Sequence, residues 1–179
     1  MDLYQTLKYH NRMWSEREII CFSVVVLVVG VVLLWAVYTS RIRKTQAVAT
    51  MLLLFFLGIV FASTVFTREV TERRYELTLF WSWREAYMEH GGVALQEIVL
   101  NCILLMPMGV LLPWIAGHQV KTRHALAAGF VVSATIEICQ LIFKRGLFEW
   151  DDMIHNAVGC MVGCCIMNLL FKMHLKMKK

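Results

Sequence analysis

The sequence predicts an all-α fold: a polytopic bundle of five transmembrane helical spans, with an interfacial loop or helix between spans two and three. Three observations carry this. Apolar runs at 19–38, 47–66, 93–115, 125–143 and 152–171 each come close to the ~20 residues that a helix needs to cross a bilayer. Hydrophobic residues make up 59% of the chain and charged residues only 17%, against about a quarter charged in soluble domains. Proline occurs twice, so little interrupts the helices. The mean hydropathy of +0.60 agrees, and the chain reads as a single membrane-embedded domain.

The first 18 residues form either a tail or a short surface helix, with Lys8, Arg12 and Arg17 interleaved with Leu3, Leu7 and Trp14. The first apolar run begins near Ile19, after mixed charge, and is long enough to span. A cleavable signal peptide has a shorter apolar core. This first span carries no internal charge and reads as a lipid-facing anchor; Arg41, Arg43 and Lys44 close it, making 19–46 one segment. The second span ends in Ser63, Thr64 and Thr67, just before Arg68. The long loop at 67–92 mixes arginines with glutamates, and its Phe80, Trp81 and Trp83 suit an interface. Glu97 and Asn101 stand one turn apart early in the third span, where Pro107 and Gly109 predict a kink. Small residues crowd the start of the fourth span, which is expected to be central. In the fifth, Gly159 and Gly163 form a GxxxG pattern that reads as helix packing. A basic tail follows at 172–179.

Net charge is +5, as suits loops that meet anionic lipid, and no basic face outside loops and tails points to nucleic acid. The six cysteines all lie in apolar segments and read as small packing residues, with neither disulfides nor metal ligation expected.

The most polar passage between apolar segments is 137–156. Glu137, Gln140 and Lys144 share one helical face; Asp152, Asn156, Gly159 and Gly163 share a face of the next helix. Alternating span direction brings Arg68, Asn101, Glu137, Gln140, Arg145, Asp151, Asp152 and Asn156 to the same side of the bilayer. Charge inside a membrane is costly unless it faces protein or water, so these eight are the candidate binding residues. Either Glu137 or Asp152 is expected to meet an arginine, Arg145 or Arg68. His155 points off the Asp152–Asn156 face and reads as packed or interfacial.

These residues resemble the VanZ-like family of small bacterial membrane proteins. The likeness rests on Asn101 through Pro107 and Gly109, on Glu137 with Gln140, on Asp151 and Asp152, and on Asn156 with Gly159. It covers roughly 57–170, which makes 47–171 a VanZ-like four-span core and the first span an addition. Family members often carry aspartate where this chain has Glu149. The resemblance implies an envelope protein of mostly Gram-positive bacteria, linked to resistance against lipoglycopeptides such as teicoplanin. It also implies that the loops at 67–92 and 144–151 lie outside. The 18 Lys and Arg divide evenly between the two sides, and the acidic residues gathered in the loops at 67–92 and 144–151 give only a weak lean towards an outside N-terminus, with which the family's topology agrees. With the family's topology the N-terminus is outside and the C-terminus cytoplasmic, with Trp83 and Trp150 on the outer face and Lys178 inside.

Three functions compete. As a binder, the cluster holds the head of a membrane lipid, a lipid-linked cell-wall intermediate or the lipoglycopeptide; arginines suit phosphate, and the acids and amides suit sugar hydroxyls. As an enzyme, Glu137, Asp151 and Asp152 act as acid and base or hold a cation on a lipid-linked substrate, but no Ser/His/Asp or HExxH pattern supports this, and no catalytic residue is assigned. As a structural device, the cluster is an ion-pair network that fixes helix packing. No cofactor and no metal is expected.

Overall fold

The structure, a computed structural model, describes residues 12–88 and 92–177. Much of the expected tail or surface helix at 1–18, and Lys178, lie outside the described residues. Among the described residues, five helices are long and apolar enough to cross a membrane: Glu16–Tyr38, Lys44–Phe66, Gly92–Ala116, Thr122–Phe143 and Trp150–Met173. The protein is a multi-pass membrane protein of the expected helical class. A two-stranded sheet, β1 (Arg74–Glu76) with β2 (Leu147–Glu149), is the one β element among the described residues. The chain packs as two compact units: Met1–Tyr75 with Ile138–Phe148, and Glu76–Glu137 with Glu149–Lys179.

In the first unit, helix α1 (Glu16–Tyr38) starts earlier than the apolar run does. Ser15 and Glu18 form a capping box: Glu18 N–H donates to Ser15 Oγ, and Ser15 N–H donates to the Glu18 carboxylate at 2.9 Å. No α1 residue is buried, as an anchor facing lipid requires. Helix α2 (Lys44–Phe61) continues into a π-helical turn, Ala62–Phe66. The hydroxyls of Ser63, Thr64 and Thr67 donate to the carbonyls of Val60, Val60 and Ala62, and Thr67 N–H reaches back five residues to Ala62 O. Hydroxyls that bond to the backbone in this way loosen the regular ladder.

In the second unit, the expected interfacial helix is α3 (Trp81–Met88), introduced by Phe80 at φ 60°. The expected kink is a break: α4 (Gly92–Leu104) stops at Leu105, and α5 (Met106–Ala116) begins with Pro107 in its first turn. There the missing proline N–H costs nothing, because first-turn donors have no intrahelical partner. Helix α6 (Thr122–Phe143) runs from the second unit into the first. Helix α7 (Trp150–Met177) closes the chain.

The fourth span was expected to be central, but among the spans α7 is the most buried, with 39% of its apolar stretch buried against 28% for α6. Glycines explain this. A Cβ on Gly159 would overlap the Cys102 carbonyl of α4, and one on Gly163 would overlap the Met106 carbonyl of α5. On the other partners, a Cβ on Gly109 would overlap the Cys160 carbonyl, and one on Gly129 would lie 2.6 Å from Cys160 Cβ. Helix α7 therefore meets three elements at backbone distance. At its far end, Asn168 Nδ2 donates to Val120 O at 2.7 Å and its Oδ1 accepts from Val120 N at 3.2 Å, which pins the α5–α6 turn.

Candidate functional site at the start of helix α7

The eight expected binding residues divide between the two units. Arg68, Gln140 and Arg145 belong to the first; Asn101, Glu137, Asp151, Asp152 and Asn156 belong to the second.

In the first unit the π-helical turn leaves carbonyls without intrahelical donors, and polar side chains supply them. Gln140 Nε2 donates to Thr64 O at 3.1 Å, and Arg145 Nη1 donates to Phe66 O and, at 3.4 Å, to Val65 O. Helix α6 ends with Lys144 in the left-handed region at φ 57°, and Arg145 N–H turns back to Gln140 O at 2.9 Å. Gly146 follows at φ 133°, where a Cβ would lie 3.0 Å from an Arg68 guanidinium nitrogen. Gln140 and Arg145 thus hold backbone. Arg68 is exposed.

In the second unit, two faces of α7 carry polar side chains one turn apart. Asp152 and Asn156 form the expected face. Asp152 accepts a short hydrogen bond from Asn101 Nδ2, so the two residues join α7 to α4. Asn156 is 2% exposed and its Nδ2 donates to Ser133 Oγ at 2.9 Å. Ser133 Oγ in turn donates to the Asp152 carbonyl at 3.4 Å. Glu137, also 2% exposed, accepts from Glu149 N–H at 3.0 Å.

Asp151 and His155 form the second face, which the single-face reading concealed. The Asp151 carboxylate accepts from Phe80 N–H (2.6 Å), Ser82 N–H (3.0 Å) and Ser82 Oγ–H (2.5 Å). It caps α3 from a distant part of the chain, satisfying donors that a helix start leaves orphaned. His155 Nε2 accepts from the Trp83 indole N–H at 2.9 Å, and the rings meet edge to face at 6.0 Å. A neutral His155 therefore carries its proton on Nδ1. Ser82, Trp83, Ser133 and His155 were not singled out as site residues; the i,i+4 spacing of Asp151 and His155 was the available signal.

Three buried side-chain atoms among the described residues lack a hydrogen-bond partner: Trp81 Nε1, His155 Nδ1 and Asn156 Oδ1. All are in the second unit, and two are neighbours on α7. Glu149, just before α7, is half-buried. Burial pushes its carboxyl up to about 8, and the negative charges of Asp152, Glu97 and Asp151 add to this. The Trp81 indole opposes the shift, although its N–H makes no hydrogen bond at normal length. At neutral pH Glu149 is thus largely a protonated acid able to donate. Among the described residues, no three His, Cys, Asp or Glu side chains are grouped closely enough to hold a metal ion.

The family described as VanZ/LLP1 matches this chain over residues 24–171, a range that takes in most of the first span. Protein VanZ of Enterococcus faecium is 33% identical over 84 residues, which is 47% of this chain and 51% of that protein. The match thus spans about half the length of this curated relative. No solved structure matches the chain.

Proposed function

Because the chain belongs to the VanZ/LLP1 family, we propose that it contributes to teicoplanin-type glycopeptide resistance by binding a polar head group at the start of α7. The head belongs to an envelope lipid, a lipid-linked cell-wall intermediate or the lipoglycopeptide itself. The observation that carries the reading is the adjacent pair His155 and Asn156. They are 5% and 2% exposed, and each keeps one polar atom without a protein partner. A buried polar group left unpaired costs about 1–3 kcal/mol, so such atoms are commonly matched by a ligand or water. His155 Nδ1–H and Trp81 Nε1–H need acceptors, and Asn156 Oδ1 needs a donor. A hydroxyl-rich head meets all three needs, because each hydroxyl both donates and accepts.

Asp151 has the opposite character: three protein donors already engage its one carboxylate. The test therefore uses Glu137→Gln, Asp152→Asn and Glu149→Gln, changes that keep one of the two oxygens of each carboxyl group. Glycopeptide susceptibility of cells and thermal unfolding of the same purified variant are measured together. Lost resistance with wild-type melting is expected. Resistance that falls only in step with stability across the set would leave a structural network in place of a binding site. Glu149→Gln carries a further arm. The folded-state value of about 8 lies above the ordinary 4.5, so the stabilising contribution of Glu149 is full below 4.5 and is lost as pH rises through 8. In Glu149→Gln that part of the pH dependence should vanish.

On this reading the N-terminus is outside and the C-terminus cytoplasmic, which puts the start of α7 at the outer leaflet. Trp83→Cys and Trp150→Cys should each react with an impermeant thiol reagent added to intact cells. Reaction only after lysis inverts the orientation.

A further inference from the structure

The first unit contains an apolar groove of about 370 Å³ between α1 and α2, with Trp14, Arg17, Cys21, Val25, Phe61 and Phe66 among its walls. Two local features shape it. Gly58 admits the Phe22 ring, whose Cζ lies 2.5 Å from where a Cβ would stand, and Phe22 packs edge to face on Trp14 and Phe55. The π-helical turn at Ala62–Phe66 ends the second wall.

One end of the groove is polar, and Arg17 is the uncompensated charge among its wall residues; Glu16, in the same helical turn, is not part of the wall. Glu18 is paired with Arg12 through both guanidinium nitrogens, so its charge is compensated. No hydrogen bond or ion pair among the described residues engages the Arg17 guanidinium, which is exposed. Arg145 donates to the carbonyl of Phe66, itself a wall residue. Trp14 at this end is a residue type that settles at membrane interfaces.

The geometry points to a site for one anionic phospholipid: an acyl chain lies along Cys21, Val25 and Phe61, and the head-group phosphate sits at Arg17. An apolar groove in a bilayer takes lipid tails of any kind, so the selectivity comes from the head. Guanidinium matches phosphate oxygens in pairs, and its uncompensated positive charge disfavours the choline cation of a zwitterionic head, so a net anionic head is preferred. The volume falls within the range of small-molecule pockets. The inference is independent of the polar site at the start of α7, which belongs to the other unit.

The test uses the full chain in mixed micelles, with phosphatidylglycerol or phosphatidylcholine carrying a diazirine on the acyl chain. Adducts are mapped by peptide mass spectrometry. Labelling concentrated at residues 21–25 and 61–66, and severalfold stronger with phosphatidylglycerol, is expected. Cys21→Trp, which fills the groove from an exposed position, should suppress these adducts. Arg17→Gln should reduce phosphatidylglycerol to the phosphatidylcholine level without moving the adducts. Arg17 is exposed, so this arm stands even if Cys21→Trp unfolds. Labelling spread evenly over every lipid-facing helix, or equal labelling by the two head groups, overturns the proposal.

Discussion

Asp151→Ala should lower the stability of the purified protein by about 3 kcal/mol, since it orphans two backbone donors at about 1–3 kcal/mol each. Asp151 is 1% exposed, and its carboxylate receives Phe80 N–H, Ser82 N–H and the Ser82 hydroxyl. Phe80 stands at φ 60°, a conformation that a bulky side chain holds only when its surroundings enforce it. Losing the cap therefore removes both a charge-assisted anchor and the restraint on that turn. Asp151→Asn keeps one acceptor oxygen and should lose roughly half as much. Ser82→Ala removes a single side-chain bond and should cost about 1 kcal/mol. Thermal unfolding in detergent ranks the three, and limited proteolysis reports whether α3 is released. If Asp151→Ala melts like the wild type, or if Ser82→Ala costs as much, the clamp does not exist.

Gly159→Leu and Gly163→Leu should prevent accumulation of folded protein. At each position even a Cβ would overlap a backbone carbonyl, that of Cys102 or that of Met106. Backbone cannot rotate aside as a flexible side chain can, so one of the helices must move. Overpacking in a well-packed core costs about 1–3 kcal/mol, and occasionally more; with the main chain as the obstacle, the upper end or beyond is expected. Gly159→Ala should already be damaging. Gly30→Ala is the control: its Cβ would meet only Met51 Cε, at 3.6 Å, an ordinary contact. It should be neutral or slightly stabilising, because alanine is the better helix former. Expression level and melting temperature separate the two classes. A well-expressed, wild-type-stable Gly159→Leu would rule out the backbone contact.

The five spans were legible in the sequence because bilayer crossing depends on length and hydropathy, both local properties. The break near Pro107 was legible too, since proline lacks the N–H that a continuous helix uses and favours a first-turn position, although α5 carries Pro113 in its interior. The capping box at Ser15 and Glu18 was equally local, and the apolar-run reading passed over it. Only the tertiary structure decided what each polar side chain does. Glu137 and Gln140 share a helical face, yet Gln140 donates to Thr64 O while Glu137 accepts from Glu149 N–H, in different units. Asp151 and Asp152 are neighbours and both acids, yet one caps α3 and the other binds Asn101. Spacing places a side chain on a face; it does not say which unsatisfied donor or acceptor the fold brings opposite. Buried polar groups take whichever partner satisfies them, and those partners lie 12 to 80 residues away in the chain.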